Sequence, residues 1–204
     1  MICFVSTFLF EMKTAKPIFD ELNILNERIA ADFNLEPEQR KEHKQDRIDE
    51  ILDMLIMAYV FGTEDADEQL LVTESVVTEE MYASIWSDIA GKDWEQRVSE
   101  YYDDPKATAE DIKRVVETDT NRIYSDAVQN VGEKTAKRGI PVTKTWETML
   151  DDKVRLHHEL LQSVTIPINE RFISLDGDTA RYPGDFTNPE NNINCRCFLT
   201  LGRE

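Results

Sequence analysis

The spacing of apolar residues changes once along this chain, and that change limits the folds open to it. From Ile18 to Val131 apolar side chains recur every three to four residues, the period of an amphipathic helix. Beyond Ser163 they fall into short runs separated by turn residues. Pro17 can open a first helix carrying Ile18, Leu22, Leu25 and Ile29. The polar stretch from Phe33 to Lys44, with Pro37 inside it, predicts a break. Ile48, Leu52, Leu55 and Tyr59 predict a second helix that stops at Gly62, with Thr63–Gln69 as an acidic loop. Met81, Ile85 and Ile89 predict a third helix ended by Gly91, and Trp94, Val98 and Tyr102 a fourth.

After Pro105, Thr108 and Asp111 form an N-terminal capping pair. Ile112, Val116, Ile123, Ala127 and Val131 then predict a long helix ending near Gly139 and Pro141. One more helix is expected from Thr148 to about Gln162. Val164-Thr165-Ile166, Arg171-Phe172-Ile173 and Cys197–Leu201 read as strands, with turns at Asp176-Gly177 and Pro183-Gly184. The expected fold class is α+β: a helical part over residues 1–105, then a small α+β domain over 106–204 with short antiparallel strands.

Charge narrows the range of partners. The formal net charge is -18, and residues 62–104 hold 13 acidic side chains against Lys92 and Arg97. Such a chain repels phosphate backbones, which disfavours direct, sequence-independent DNA binding. The acidic stretch reads either as a solvated face or as a surface for a basic partner. No apolar run reaches the roughly 18–20 residues that span a bilayer. The apolar start, Ile2-Cys3-Phe4-Val5 to Phe8-Leu9-Phe10, is short, lacks a basic leader, and reads as a buried or docking segment.

Three cysteines do not make a disulfide framework, because Cys3 lies far from the Cys195/Cys197 pair and a one-residue gap disfavours a bridge within that pair. A reducing setting suits them. Alternation along a strand would turn Cys195 and Cys197 to one face. With His158 they could hold zinc, although one intervening residue is short for a chelate, and two buried thiols packing as hydrophobes is the plainer reading. On the expected helix over 148–162, Leu150, Val154, His157 and Leu161 would form an apolar face, with Asp151, Arg155 and His158 as a charged stripe beside it. The zinc deaminase pattern fails here, since it needs His-x-Glu and Pro-Cys-x-x-Cys. No glycine-rich phosphate loop, H-E-x-x-H or G-x-S-x-G is present.

Read together, Lys144-Thr145-Trp146-Glu147-Thr148-Met149-Leu150-Asp151-Asp152-Lys153-Val154-Arg155 and then His158 resemble the central motif of the Mu F-like head-morphogenesis family of tailed phages. Asp176-Gly177-Asp178, Pro183-Gly184-Asp185-Phe186 and Pro189 through Cys197 resemble that family's closing segment. Trp94–Val98 and Glu117–Arg122 resemble its upstream part, so the likeness covers roughly residues 91–201.

The resemblance implies a minor capsid protein of the virion, inside the capsid near the portal, made in the host cytoplasm. It would act in head assembly and in DNA packaging or ejection, with the portal or major capsid protein as partner and no membrane. It also implies that Trp146, Asp151, Asp152, Arg155, His158 and Arg196 form one polar network. Some family members carry fused toxin or nuclease domains, and with Glu204 seven residues past Cys197 none is expected here. Two rivals stay open: a small nuclease-like or toxin-like enzyme using His158 and Arg155, and an adaptor that chaperones another head protein.

Overall fold

The structure, a computed structural model, describes residues 16–203, so the apolar opening from Ile2 to Phe10 lies outside the described residues. Its helical half is α1 (Lys16–Asp32), the short α2 (Pro37–Arg40), a 3-10 turn (Lys41–His43), α3 (Lys44–Leu70), α4 (Thr78–Ile85), α5 (Trp94–Asp103) and α6 (Ala109–Lys137). There follow β1 (Val142–Glu147), a single helical turn α7 (Leu156–Glu159), β2 (Val164–Pro167), β3 (Phe172–Ile173), β4 (Thr179–Ala180), α8 (Pro189–Asn192) and β5 (Phe198–Arg203). This is the expected α+β architecture, with a helical first half and short antiparallel strands after it.

Helix α6 is the shared spine. Its start is fixed chemically, because the Asp111 carboxylate accepts from both the backbone N–H (2.9 Å) and the hydroxyl (2.8 Å) of Thr108. Its first turns present Ile112, Val115, Val116, Ile123 and Ala127 to an all-helical core with Leu55, Tyr59, Trp94 and Tyr102. Val128 and Val131 enter a second core with Trp146, Phe172, Phe186 and Leu199, to which α3 contributes Ala66 and Leu70. Asp32 closes α1 as a buried acceptor for Arg47 (2.8 Å) and the Tyr102 hydroxyl (2.7 Å), tying three helices together.

The sheet has the order β2-β1-β5, antiparallel throughout. In β1 the alternation is strict: Val142, Lys144 and Trp146 point inward, while Thr145 meets Thr165 across the pair at 2.8 Å.

Three expectations need correction. Gly62 does not stop its helix, and the acidic stretch after it is not a loop: α3 runs on to Leu70. Gly62 is there because α3 crosses α6 closely, and a Cβ at 62 would sit 2.5 Å from the Tyr124 carbonyl oxygen. Ile89 lies beyond α4, in a tight bridge with Lys92 across the positive-φ Gly91.

The helix expected over 148–162 is absent. Val142–Glu147 are drawn into the sheet, and Gln162 then accepts from both the N–H and hydroxyl of Thr148 (2.7 Å each), closing a loop. Leu150 takes φ +52 and is 71% exposed, so the apolar face through Leu150, Val154, His157 and Leu161 does not exist.

Gly62→Ala tests the helix crossing. In an open helix this change would stabilise by about 1 kcal/mol. Here overpacking against backbone should destabilise by about 1–3 kcal/mol, read as a lower urea midpoint. An unchanged or higher midpoint would contradict the close approach.

Candidate functional site

The sequence-predicted residues converge, though not on a helix face. Arg155 precedes the single turn α7, which swings the second of two adjacent histidines inward: His158 is 1% exposed, whereas His157 lies partly exposed near Asp176 (3.7 Å). The periodicity had placed His157 in the core and His158 in the charged stripe; losing the helix reverses these roles. His158 is boxed by aromatic rings, stacked on Phe186 and edge-on to Trp146, with centroids 5.5 Å away in each case.

On its open side His158 Nδ1 faces both thiols, 3.6 Å from Cys195 Sγ and 3.5 Å from Cys197 Sγ. Asn194 in the left-handed region turns the chain, the N–H of Cys195 bonds the Asn192 carbonyl (3.0 Å), and both cysteines are buried. Between them Arg196 points away, forming a bidentate pair with Asp151 at 2.6 and 2.8 Å. The donor atoms of His158, Cys195 and Cys197 all lie within 4.8 Å of one another, a set that could hold a metal ion. A small cleft lined by Lys153, Val154, Arg155 and Asn194 opens onto them.

Hydrogen bonding with Cys197, then with His158, holds the Cys195 thiol well below its ordinary range. Cys197, hydrogen-bonded to Cys195 and buried, is pushed up.

Of the proposed polar network, then, Trp146 and His158 are buried at the centre. Asp151 and Arg196 pair with each other at the half-exposed edge, and the Arg155 guanidinium caps the Ile193 carbonyl. Asp152 is exposed. Asp151 and Arg155, neighbours in the expected charged stripe, bond to Arg196 and to the Ile193 carbonyl instead.

Sequence reasoning missed the supports on α6. Thr118 Oγ1 accepts from the N–H of Asn194 (3.0 Å), and Asn121 donates to the Cys197 carbonyl (3.0 Å). Both residues sit in the Glu117–Arg122 stretch already singled out, but only the tertiary fold shows what they hold. Lys144 was missed as well. Its inward position in β1 leaves it 0% exposed, donating to Gln129 Oε1 (3.1 Å) and the Arg181 carbonyl (2.7 Å). Burial pulls its ammonium down from 10.5 to about 8.

The closing loops also have a physical account. The Asp178 carboxylate accepts from the N–H groups of Thr187 (3.2 Å) and Asn188 (2.9 Å). Asn192 clasps both backbone groups of Phe186, at 2.9 and 2.6 Å. These bonds seat Phe186 against His158.

Comparison with known proteins gives a match to the family model described as phage Mu protein F like protein, over residues 76–200. The chain is 24% identical over 111 residues to the minor head protein GP7 of Bacillus phage SPP1, covering 54% of this chain and 36% of that protein. It is 25% identical over 107 residues to NAD(+)--arginine ADP-ribosyltransferase EFV of Enterococcus faecalis (strain ATCC 700802 / V583), covering 52% of this chain and 22% of that protein. The chain thus spans well under half the length of either relative. No solved structure matches it.

Lys144 yields a pH test. A lysine whose folded-state pKa lies below its unfolded value is penalised while protonated, so the folded state gains stability as pH rises between about 8 and 10.5. Measured against Lys144→Met, the parent should gain up to about 3 kcal/mol across that window, at about 1.4 kcal/mol per pH unit. Parallel stability profiles for the two proteins would show that Lys144 is not buried as described.

Proposed function

We propose, since the chain belongs to the phage Mu protein F-like family, that it is a minor head protein built into the capsid interior near the portal during assembly. The match over residues 76–200 carries this reading, because it takes in every element of the His158–Cys195–Cys197 site. A role in phage head morphogenesis follows from the family, and the minor head protein of phage SPP1 supports it. The finer statements are ours: synthesis in the host cytoplasm, assembly near the portal, and the portal or major capsid protein as partner. The part over residues 1–105 is the proposed docking part, and the Mu F-like domain from residue 106 is the module it carries.

The physical features favour a structural role over a nuclease-like one. His158, the residue such an enzyme would use, is 1% exposed and packed between Phe186 and Trp146, which suits a fixed centre better than attack on a polynucleotide. A net charge of -18 disfavours contact with packaged DNA. The ADP-ribosyltransferase shares a segment that makes up 22% of its own length, so its name reaches this chain only as a shared module. No described helix is long and apolar enough to cross a membrane.

Mass spectrometry of purified proheads and mature virions tests the reading. The chain should be present at few copies relative to the major capsid protein, and cross-linking in proheads should join it to the portal. Absence from both particles would defeat the structural role and leave the adaptor.

A further inference from the structure

We infer that His158, Cys195 and Cys197 bind one zinc ion that cross-links the α7 turn to the segment entering β5. This inference stands on the geometry of the site and is independent of the capsid reading. A tetrahedral zinc with Zn–N near 2.0–2.1 Å and Zn–S near 2.3 Å has N···S edges of about 3.6 Å. The two observed edges, His158 Nδ1 to Cys195 Sγ and to Cys197 Sγ, are 3.6 and 3.5 Å. Both N···S edges match a metal's coordination face, and the two sulfurs lie within 4.8 Å of each other.

The one-residue spacing of the cysteines, unfavourable in a turn, suits this backbone. Residues 195 and 197 alternate along an extended segment, so both sulfurs fall on the side of His158 while Arg196 points away to Asp151. Charge points the same way. Two buried thiolates without a cation would be costly, whereas Zn²⁺ with two thiolates and a neutral imidazole is uncharged overall. The aromatic box fixes the ring plane so that Nδ1 points at the thiols, with the imidazole proton then on Nε2.

Among the described residues these three form the one His, Cys, Asp and Glu cluster of this kind. The small cleft lined by Lys153, Arg155 and Asn194 opens onto the three donors and leaves the fourth position to an exogenous ligand. The ion acts as a staple. Asp151 is held by Arg196 at the edge of the site.

The test uses the full chain purified without added metal, then loaded with zinc or with cobalt and dialysed. About one equivalent of zinc should remain, as for a structural site. The cobalt form should show thiolate-to-metal charge transfer and the intense visible bands of tetrahedral Co²⁺. The Cys195→Ser/Cys197→Ser double variant should lose those bands and retain less than about a tenth of the metal, while Arg196→Ala keeps both. Because the parent's cobalt spectrum is read directly, a variant that fails to fold does not blunt the test. Metal-free parent protein after loading, an intramolecular disulfide in freshly purified material, or undiminished metal in the double variant would each overturn the inference.

Discussion

A carboxylate buried on the long helix organises the C-terminal half. Asp119 is 0% exposed and sits between two guanidinium groups, Arg97 at 2.6 Å and Arg122 at 3.0 Å. Removing one partner of a buried pair leaves an uncompensated charge, so such a group strongly fixes the geometry around it. Arg122 reaches on to the Ser84 carbonyl at 3.0 Å, locking α4 against α6. Its stem packs so closely on Gly184 that a Cβ there would lie 2.9 Å from Arg122 Cβ. With φ +97, Gly184 admits glycine on both steric and conformational grounds.

From this fixed point the site follows by short steps. Thr118 and Asn121, flanking Asp119 on the same helix, hold the backbone at Asn194 and Cys197. That places the two thiols opposite the α7 turn, while Phe186, seated by Asn192, presses His158 toward them. Trp146 closes the centre from β1, packed edge-on against both His158 and Phe172. Segments far apart in sequence meet at one imidazole, and α6 holds the thiol segment in place through Thr118 and Asn121.

Much of the fold was legible in the sequence. The α6 helix, its Thr108–Asp111 cap and the strands after Ser163 followed from period and capping chemistry alone. The failures share a cause. Periodicity over 148–162 pointed to a helix, but Leu150 takes a positive φ and the Thr148 N–H and hydroxyl bond to Gln162 across a closed loop, which periodicity does not register. Gly62 looked like a stop because glycine is a poor helix former, yet its small size serves a crossing with a helix sixty residues away. The motif residues near the site were visible as a string. Their roles were not, since the loss of the expected helix over 148–162 decides which histidine is buried, and the supports from Thr118 and Asn121 exist only once α6 is packed.

Hydrogen exchange on an Asn121→Ala variant tests most directly whether α6 positions the thiol segment. Asn121 is partly buried, and its single bond to the Cys197 carbonyl should be lost without disturbing the helical core. The account predicts faster exchange at residues 195–203 and in their β1 partners 142–147, with protection in α3 unchanged. Unaltered exchange across 195–203 would contradict it, showing that the cysteine segment holds its place without the long helix.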